Sequence, residues 1–379
     1  MSTAKRIEDL AKKIVDGLGR DQLTPLERLN RLRRFEEADR VTGSFTFWSP
    51  ATVGIHDIST EEYYTNPEKM YYCQLLALDT FKHDFPLLFA DNYNTEPEAL
   101  GAKISFSGSG HDTPMIVEPA MKHREDLHKL RIPDPFKDGR LPYRIEICRI
   151  HHDLLGKFFP TGTSINAPFS MAVGMRGYET LVMDMLDDPD FVHNLLDFCT
   201  EVIIAFGKAI KSVCGSYPSL ADAWSSIPNL SPDAFFEFSF PYAARCLQVF
   251  DKSGWSLGGG HQYSGDWKRS LRRLLSSGSK SLMLFEENIT GMRGGKPIDL
   301  KEIKEICKKR GVFLYTTIHP ETMLRGPSSD IETFMTHCIK EVASGGGHGF
   351  FTSVLPGTPV KHIETFVNTL RKSTFPIRS

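Results

Sequence analysis

No run of about 18 apolar residues occurs anywhere in this 379-residue chain, so no segment reads as a membrane-spanning helix. An excess of one charge is missing too. With 45 Lys and Arg against 47 Asp and Glu, the formal net charge is −2, and bulk electrostatics draw in neither nucleic acid nor an anionic membrane. Cysteine is sparse. The seven residues (Cys73, Cys148, Cys199, Cys214, Cys246, Cys307 and Cys338) are odd in number, and none has the short spacing of a zinc knuckle or redox pair. Reduced, mostly buried thiols are expected. Residues 1–20 read as a charged amphipathic helix rather than a signal peptide, which makes the expected location cytoplasmic. Repeats of 20 to 50 residues, low-complexity tracts and linkers are also absent, and 40% hydrophobic residues suffice for a large core. One domain over residues 1–379 is expected, with a helical extension over 1–40.

What is present is one sentence repeated three times in the second half: an apolar run, a ligand-type side chain at its end, then a helix. Ser256-Leu257-Gly258-Gly259-Gly260 ends in His261, Leu282-Met283-Leu284-Phe285 in Glu286 and Glu287, and Val312-Phe313-Leu314-Tyr315-Thr316-Thr317-Ile318 in His319. Such runs, bounded by Gly and followed by charged helical stretches, read as parallel strands. In a barrel their C-terminal ends converge on one mouth, where such enzymes place their chemistry.

Read along its length, the chain gives helices over 3–38, a strand at 43–48, helix over 59–82, a strand at 86–90 closed by Asp91, and a Gly-rich hairpin over 104–118. Residues 120–157 read as helical, with Pro133 and Pro135 as breaks. A strand at 162–166 follows, then helices over 175–186 and 189–214, a strand at 219–221 closed by Asp222, and a helix over 232–250. The His261, Glu286 and His319 strands alternate with helices to the end, with a last strand at 349–354. About eight strands alternate with helices, so the fold class is α/β: a (β/α)8 TIM barrel with an N-terminal helical extension and a β-hairpin insertion.

Several short segments carry a family resemblance. Phe89-Ala90-Asp91-Asn92 through Glu98-Ala99-Leu100-Gly101-Ala102 is similar to the "F-x-D … E-A-x-G-A" segment of the uroporphyrinogen decarboxylase superfamily. Ala167-Pro168-Phe169-Ser170-Met171-Ala172 resembles its "G-P-F-T-L-A", and Leu186-Asp187-Asp188-Pro189 its "L-x-D-x-P". Leu230-Ser231-Pro232 with Phe240-Pro241-Tyr242, and His319-Pro320 with Leu324-Arg325-Gly326, resemble two later motifs in the family's order. The resemblance spans roughly residues 40–370 and implies the same barrel.

Two chemistries are implied by that superfamily. Its decarboxylases open with an Arg-rich segment that grips the substrate's carboxylates, but here the matching residues are Val41-Thr42-Gly43-Ser44-Phe45-Thr46-Phe47-Trp48. A polycarboxylate needs charge-assisted partners, and of that set only Asp91 survives. The other branch consists of cobamide-dependent methyltransferases, which exchange a methyl group between a small substrate and a corrinoid protein. Many carry zinc on a His-x-Cys plus a later Cys. His261 stands at the first position, but Tyr263 replaces the Cys, and Thr352 or Ser353 the last ligand. Relatives that demethylate aryl methyl ethers use more varied ligands and are the better match.

The expected function is therefore transfer of a methyl group from a small, aromatic, methylated substrate to the cobalt of a corrinoid protein. The alternatives are porphyrinogen decarboxylation and a barrel that binds a corrinoid or tetrapyrrole without turnover. An ether gives up its methyl only if charge on the leaving oxygen is relieved. A zinc held by His261, Glu286 and His319 would do that, and so would Glu or His as general acid; the residues leave both open. Asp91, His261, Glu286 and Glu287 are the expected catalytic groups. Trp48, Tyr93, Asp222, Trp224 and Tyr263 are the expected substrate contacts. His348 precedes its strand and belongs at the opposite end of the barrel.

Overall fold

The structure, a computed structural model, describes residues 2–377 apart from 87, 89, 90, 92, 107–112, 227, 228, 252, 258–266 and 292–296. Its strands are β1 (Thr42–Phe47), β2 (Lys103–Ser105), β3 (Met115–Glu118), β4 (Ser164–Asn166), β5 (Ser219–Asp222), β6 (Trp255–Leu257), β7 (Ser281–Phe285), β8 (Phe313–Ile318) and β9 (His348–Val354). One parallel sheet has the order β1-β9-β8-β7 and a second the order β4-β5-β6, while β2 and β3 form the antiparallel hairpin. Both gaps between the parallel sheets are bridged. On one side the Asp84 N–H donates to Gly43 O at 3.1 Å and the Leu88 N–H to Gly162 O at 2.7 Å. On the other, the Lys280 N–H donates to Ser253 O at 3.0 Å. The strands thus run round the ring that the alternation of elements predicts, with helices outside.

The expected strand at 86–90 lies partly outside the described residues, and Pro86 and Leu88 are not in a regular strand. Pro86 has no N–H to place in a ladder, and the bridging falls to Asp84, Phe85 and Leu88. Residues 120–157 are less helical than their polarity suggests. A 3₁₀ turn covers Arg124–Lys129 and an α-helix only Leu141–Leu155, which starts with Pro142 in its first turn. Pro133 and Pro135 fall in the irregular stretch between them. The helix expected over 175–186 is two helices, Pro168–Arg176 and Tyr178–Asp187, separated at Gly177 with φ +83°. The helix expected over 232–250 contains a widened π-helical turn at Phe235–Ser239, where the Phe240 N–H reaches Phe235 O. Pro241 supplies the cause: with no N–H, it cannot close a regular α-turn onto the residue four positions earlier.

The helical extension is tied to the base of the ring by charge. Asp84, 1% exposed, accepts from Arg28 Nη1 at 2.6 Å, Arg40 Nη2 at 2.7 Å, the Thr42 hydroxyl at 3.0 Å and the Gly43 N–H at 2.8 Å. Burial alone would raise its pKa, but the two guanidinium groups outweigh it and hold the carboxyl down at about 2. Arg28 is itself carried by the helix Pro25–Arg33, whose Thr24/Glu27 capping box fixes its start.

Candidate active site

At the C-terminal side of β1, β5 and β9 lies a cavity of about 720 Å³. Trp48 follows β1, Trp224 follows β5, and Leu355 and Pro356 follow β9; Asp91, Tyr93 and Ser170 complete the inner wall. Met115, Ile116 and Val117 of β3 close the outer side, and Tyr178 stacks on Trp224 with ring centroids 5.4 Å apart. Four residues expected from sequence, Trp48, Asp91, Tyr93 and Trp224, therefore meet in one wall.

Asp91 is held in a left-handed conformation, φ +56°, which Asp tolerates better than most residues. Its carboxylate accepts from Arg140 Nη2 and from the Asn94 side-chain amide. Arg140 also binds Glu98, and its guanidinium lies 5.2 Å from the centre of the Phe106 ring. Asn94 donates as well to Pro114 O at 2.9 Å, so both flanks of the hairpin are pinned to this one charge cluster. Burial raises the Asp91 pKa against the opposing pull of Arg140 and Asn94. A second cluster lies below it: Glu96, fully buried, accepts from the Asn166 N–H at 2.9 Å, while Arg144 faces Thr95, Thr163 and Ser164 O.

Asp222 takes a different place from its neighbours. It is fully buried behind the wall and accepts from Ser170 Oγ at 2.7 Å, Ser239 Oγ at 3.0 Å and Trp255 Nε1 at 3.2 Å. The π-helical turn delivers Ser239 to it. Ser170 Oγ in turn accepts the Trp224 N–H at 3.3 Å, so Asp222 reaches the cavity through Ser170 and the placement of Trp224. Burial raises its pKa despite these donors.

The carboxylates after β7 do not continue that strand. They open the helix Glu286–Thr290, so successive side chains no longer alternate across a sheet, and both turn toward the end of β8. Glu286 Oε2 accepts the His319 N–H at 2.9 Å, and His319 Nε2 stands 3.3 Å from Glu287 Oε2. His319 Nδ1 accepts the Glu321 N–H at 3.2 Å, which fixes the proton on Nε2, facing Glu287. A ring nitrogen that carries a proton cannot also hold a metal, so His319 as arranged presents an N–H on the side of Glu287 rather than a free lone pair. Among the described residues no group of three His, Cys, Asp or Glu stands close enough to hold a metal ion. His261 and Tyr263 lie outside the described residues. None of Glu286, Glu287 and His319 lines the cavity; they occupy the β7–β8 side of the mouth. His348 begins β9, at the other end from the mouth, and is buried beside Thr316 with Nε2 3.0 Å from its hydroxyl.

The segments around Asp91 and Ser170 that resemble one family's motifs thus meet in one place, and the corresponding family profile matches residues 51–373 under the description "Uroporphyrinogen decarboxylase (URO-D)". The chain belongs to this family. The uroporphyrinogen decarboxylase of Anaeromyxobacter dehalogenans (strain 2CP-C) is 27% identical over 206 residues, 52% of this chain and 58% of that protein. The methylcobamide:CoM methyltransferase MtbA of Methanosarcina acetivorans is 24% identical over 236 residues, 60% of this chain and 67% of that protein. The chain thus spans little more than half the length of the decarboxylases it matches. A methyltransferase from Methanosarcina mazei shares the fold with a TM-score of 0.75 at 20% identity, over 93% of this chain and 99% of that one. Among the described residues no helix is long and apolar enough to cross a membrane.

Sequence reasoning missed Arg140, Asn94, Ser170 and Tyr178 as parts of the wall or its support. Ser170 lies inside a quoted motif and was within reach. Arg140, a lone Arg ahead of a Pro-started helix, carries no local signal of its partner 49 positions earlier.

Proposed function

We propose that this chain is a methyltransferase that passes a methyl group from a small methylated substrate to the cobalt of a corrinoid protein, an aryl methyl ether being the donor suggested by the sequence resemblance. One observation carries this reading: the described residues lining the cavity include no Lys, Arg or His. A porphyrinogen would bring several carboxylates against aromatic rings and a buried Asp. Each would lose its hydration without a charged partner, a cost of several kcal/mol per group. Arg140 offers no rescue, because it lies behind the wall and is engaged by Asp91 and Glu98. A small apolar body fits the same walls without penalty.

In this reading Trp48, Tyr93, Tyr178 and Trp224 exclude water and hold the methyl donor, and Asp91 accepts a hydrogen bond from it. Asp222 acts through Ser170 to fix Trp224. The methyl passes to the reduced cobalt of the partner's corrinoid while the bonding electron pair stays with the heteroatom. A neutral ether then needs a proton or Lewis acid at its oxygen. We assign that proton to His319, which stands beside Glu287 on the β7–β8 side of the mouth, outside the cavity lining, and would have to meet the substrate oxygen from there. The His319 arrangement does not suit zinc, and no step here runs through a metal on this chain.

The test is to mix the protein with reduced cobalamin and a methyl donor and follow the cobalt absorption spectrum. Formation of methylcobalamin with stoichiometric demethylated product supports the reading. Release of carbon dioxide from uroporphyrinogen without cobalt, with no methylcobalamin from any donor, replaces it with decarboxylation.

A further inference from the structure

The cavity walls say more about the donor than its size. Four aromatic rings, those of Trp48, Tyr93, Tyr178 and Trp224, share one cavity with Asp91, and no described lining residue is cationic. The ionisable groups in and behind the wall lean in the same direction: two carboxyl groups, Asp91 and Glu98, share the single guanidinium of Arg140, with Asp222 buried beyond Ser170. Ring faces and a surplus carboxylate attract cations, and methylated ammonium groups are the cations that aromatic walls recognise best.

The hydrogen-bond inventory points the same way. The hydroxyl protons of Tyr64, Tyr178 and Ser170 are already donated, to Trp48 O, Asn229 O and Asp222, and the Asn94 amide is donated to Asp91 and Pro114 O. Burial and the neighbouring Asp222 push the Tyr93 phenol well above its ordinary range, so it is a poor proton donor. What remains among the described lining residues is the neutral Thr113 hydroxyl and the indole N–H groups of Trp48 and Trp224, which can donate a hydrogen bond but do not give up a proton to a leaving oxygen.

We propose that the cavity is built for a methylated onium cation, a quaternary ammonium or sulfonium group, as the methyl donor. The inference rests on the methyl-transfer reading and narrows its substrate. The bond between methyl carbon and nitrogen or sulfur breaks, its electron pair remains on the heteroatom, and cobalt(I) of the partner's corrinoid supplies the pair for the new cobalt–carbon bond. The leaving group departs as a neutral amine or thioether. No proton moves.

The test is binding alone, by calorimetry on the full chain without any corrinoid, so its outcome is independent of whether methyl transfer occurs. Choline is compared with 3,3-dimethyl-1-butanol, which has the same shape without the charge, and tetramethylammonium with trimethylsulfonium to separate nitrogen from sulfur donors. Choline is expected to bind at least about tenfold more tightly than its neutral counterpart. Trp224 is 37% exposed, so Trp224→Leu leaves the core intact. It should cut that preference to about threefold or less, whereas Trp224→Phe keeps most of it. Equal binding of choline and the alcohol, tighter binding of anisole than of any cation, or a preference untouched by Trp224→Leu would each overturn the proposal.

Discussion

Replacing Asp84 by Asn should remove the joint between the helical extension and the barrel base, and the structure sets both the size and the pH dependence of the effect. In the wild type the carboxylate accepts from both Arg28 and Arg40, with Arg28 fully buried. Arg28 retains Asp39 at 2.7 Å when the carboxylate is lost, but the nearest remaining carboxylate for Arg40 is Asp21 at 3.5 Å. Breaking a buried pair from one side costs about 3–5 kcal/mol, and that loss is expected near neutral pH. The sign of the acid effect follows from the lowered pKa. A carboxyl at about 2 when folded and 3.8 otherwise contributes its full stability above the higher value and loses it as pH falls through the lower. The difference is worth about 2 kcal/mol. Asp39, also lowered by Arg28, titrates in the same direction, so the quantity to measure is the difference between wild type and Asp84→Asn. Urea unfolding midpoints taken from neutral pH down through the acid range give it. A variant that loses less than about 1 kcal/mol at neutral pH, or that keeps the wild-type acid slope, refutes the argument.

Three further outcomes are expected. A Cβ at Gly174 would stand 2.6 Å from Pro97 Cγ and 3.0 Å from Ile116 Cδ1. Gly174→Ala should therefore lose about 1–3 kcal/mol to overpacking against about 1 kcal/mol of helix propensity, and a raised melting temperature would show that the hairpin simply yields. With reduced cobalamin, His319→Gln should slow an aryl methyl ether roughly a hundredfold in kcat but an onium donor less than about threefold, because only the ether needs a proton. Equal slowing of both would place His319 in the scaffold. Metal analysis of protein purified without chelator should give the same content for His319→Ala as for wild type, since Nδ1 already accepts the Glu321 N–H; a drop would make His319 a ligand after all.

Legibility from sequence followed the range of the forces involved. β7, β8 and β9 announce themselves as apolar runs bounded by Gly or charge, and the side chains at their ends could be ordered because a parallel barrel leaves them one destination. The 86–90 segment carries the same composition, but Pro86 removes a ladder donor, which hydropathy does not register. Glu286 and Glu287 illustrate another limit. Strand periodicity predicts opposite faces for them, and the chain becomes helical at that residue, so both meet His319. Trp48 and Trp224 reached a common wall because each follows a strand, and Tyr93 joins them although no regular strand precedes it. Asp222 also ends a strand, but three donors from Ser170, Ser239 and Trp255 draw it into the interior, and Ser239 arrives only through the widened turn before Pro241. Arg140 was invisible for the plainest reason: an ion pair across 49 residues leaves no trace in local pattern.

The hairpin over the cavity has a kinetic consequence. Its strands hold only three and four residues, Met115 and Val117 are 65% and 64% exposed, and its described anchors are Asn94, the guanidinium of Arg140 and the seat of Ile116 at Gly174. A ribbon that short has little stability of its own, so its local opening is expected to cost less free energy than global unfolding. Guest residence time and barrel stability are then governed by different parts of the chain. Strengthening the ion-paired base would raise the melting temperature and leave exchange at the cavity as it was, while a single substitution beneath Phe106 or Pro114 would reset how long a guest stays.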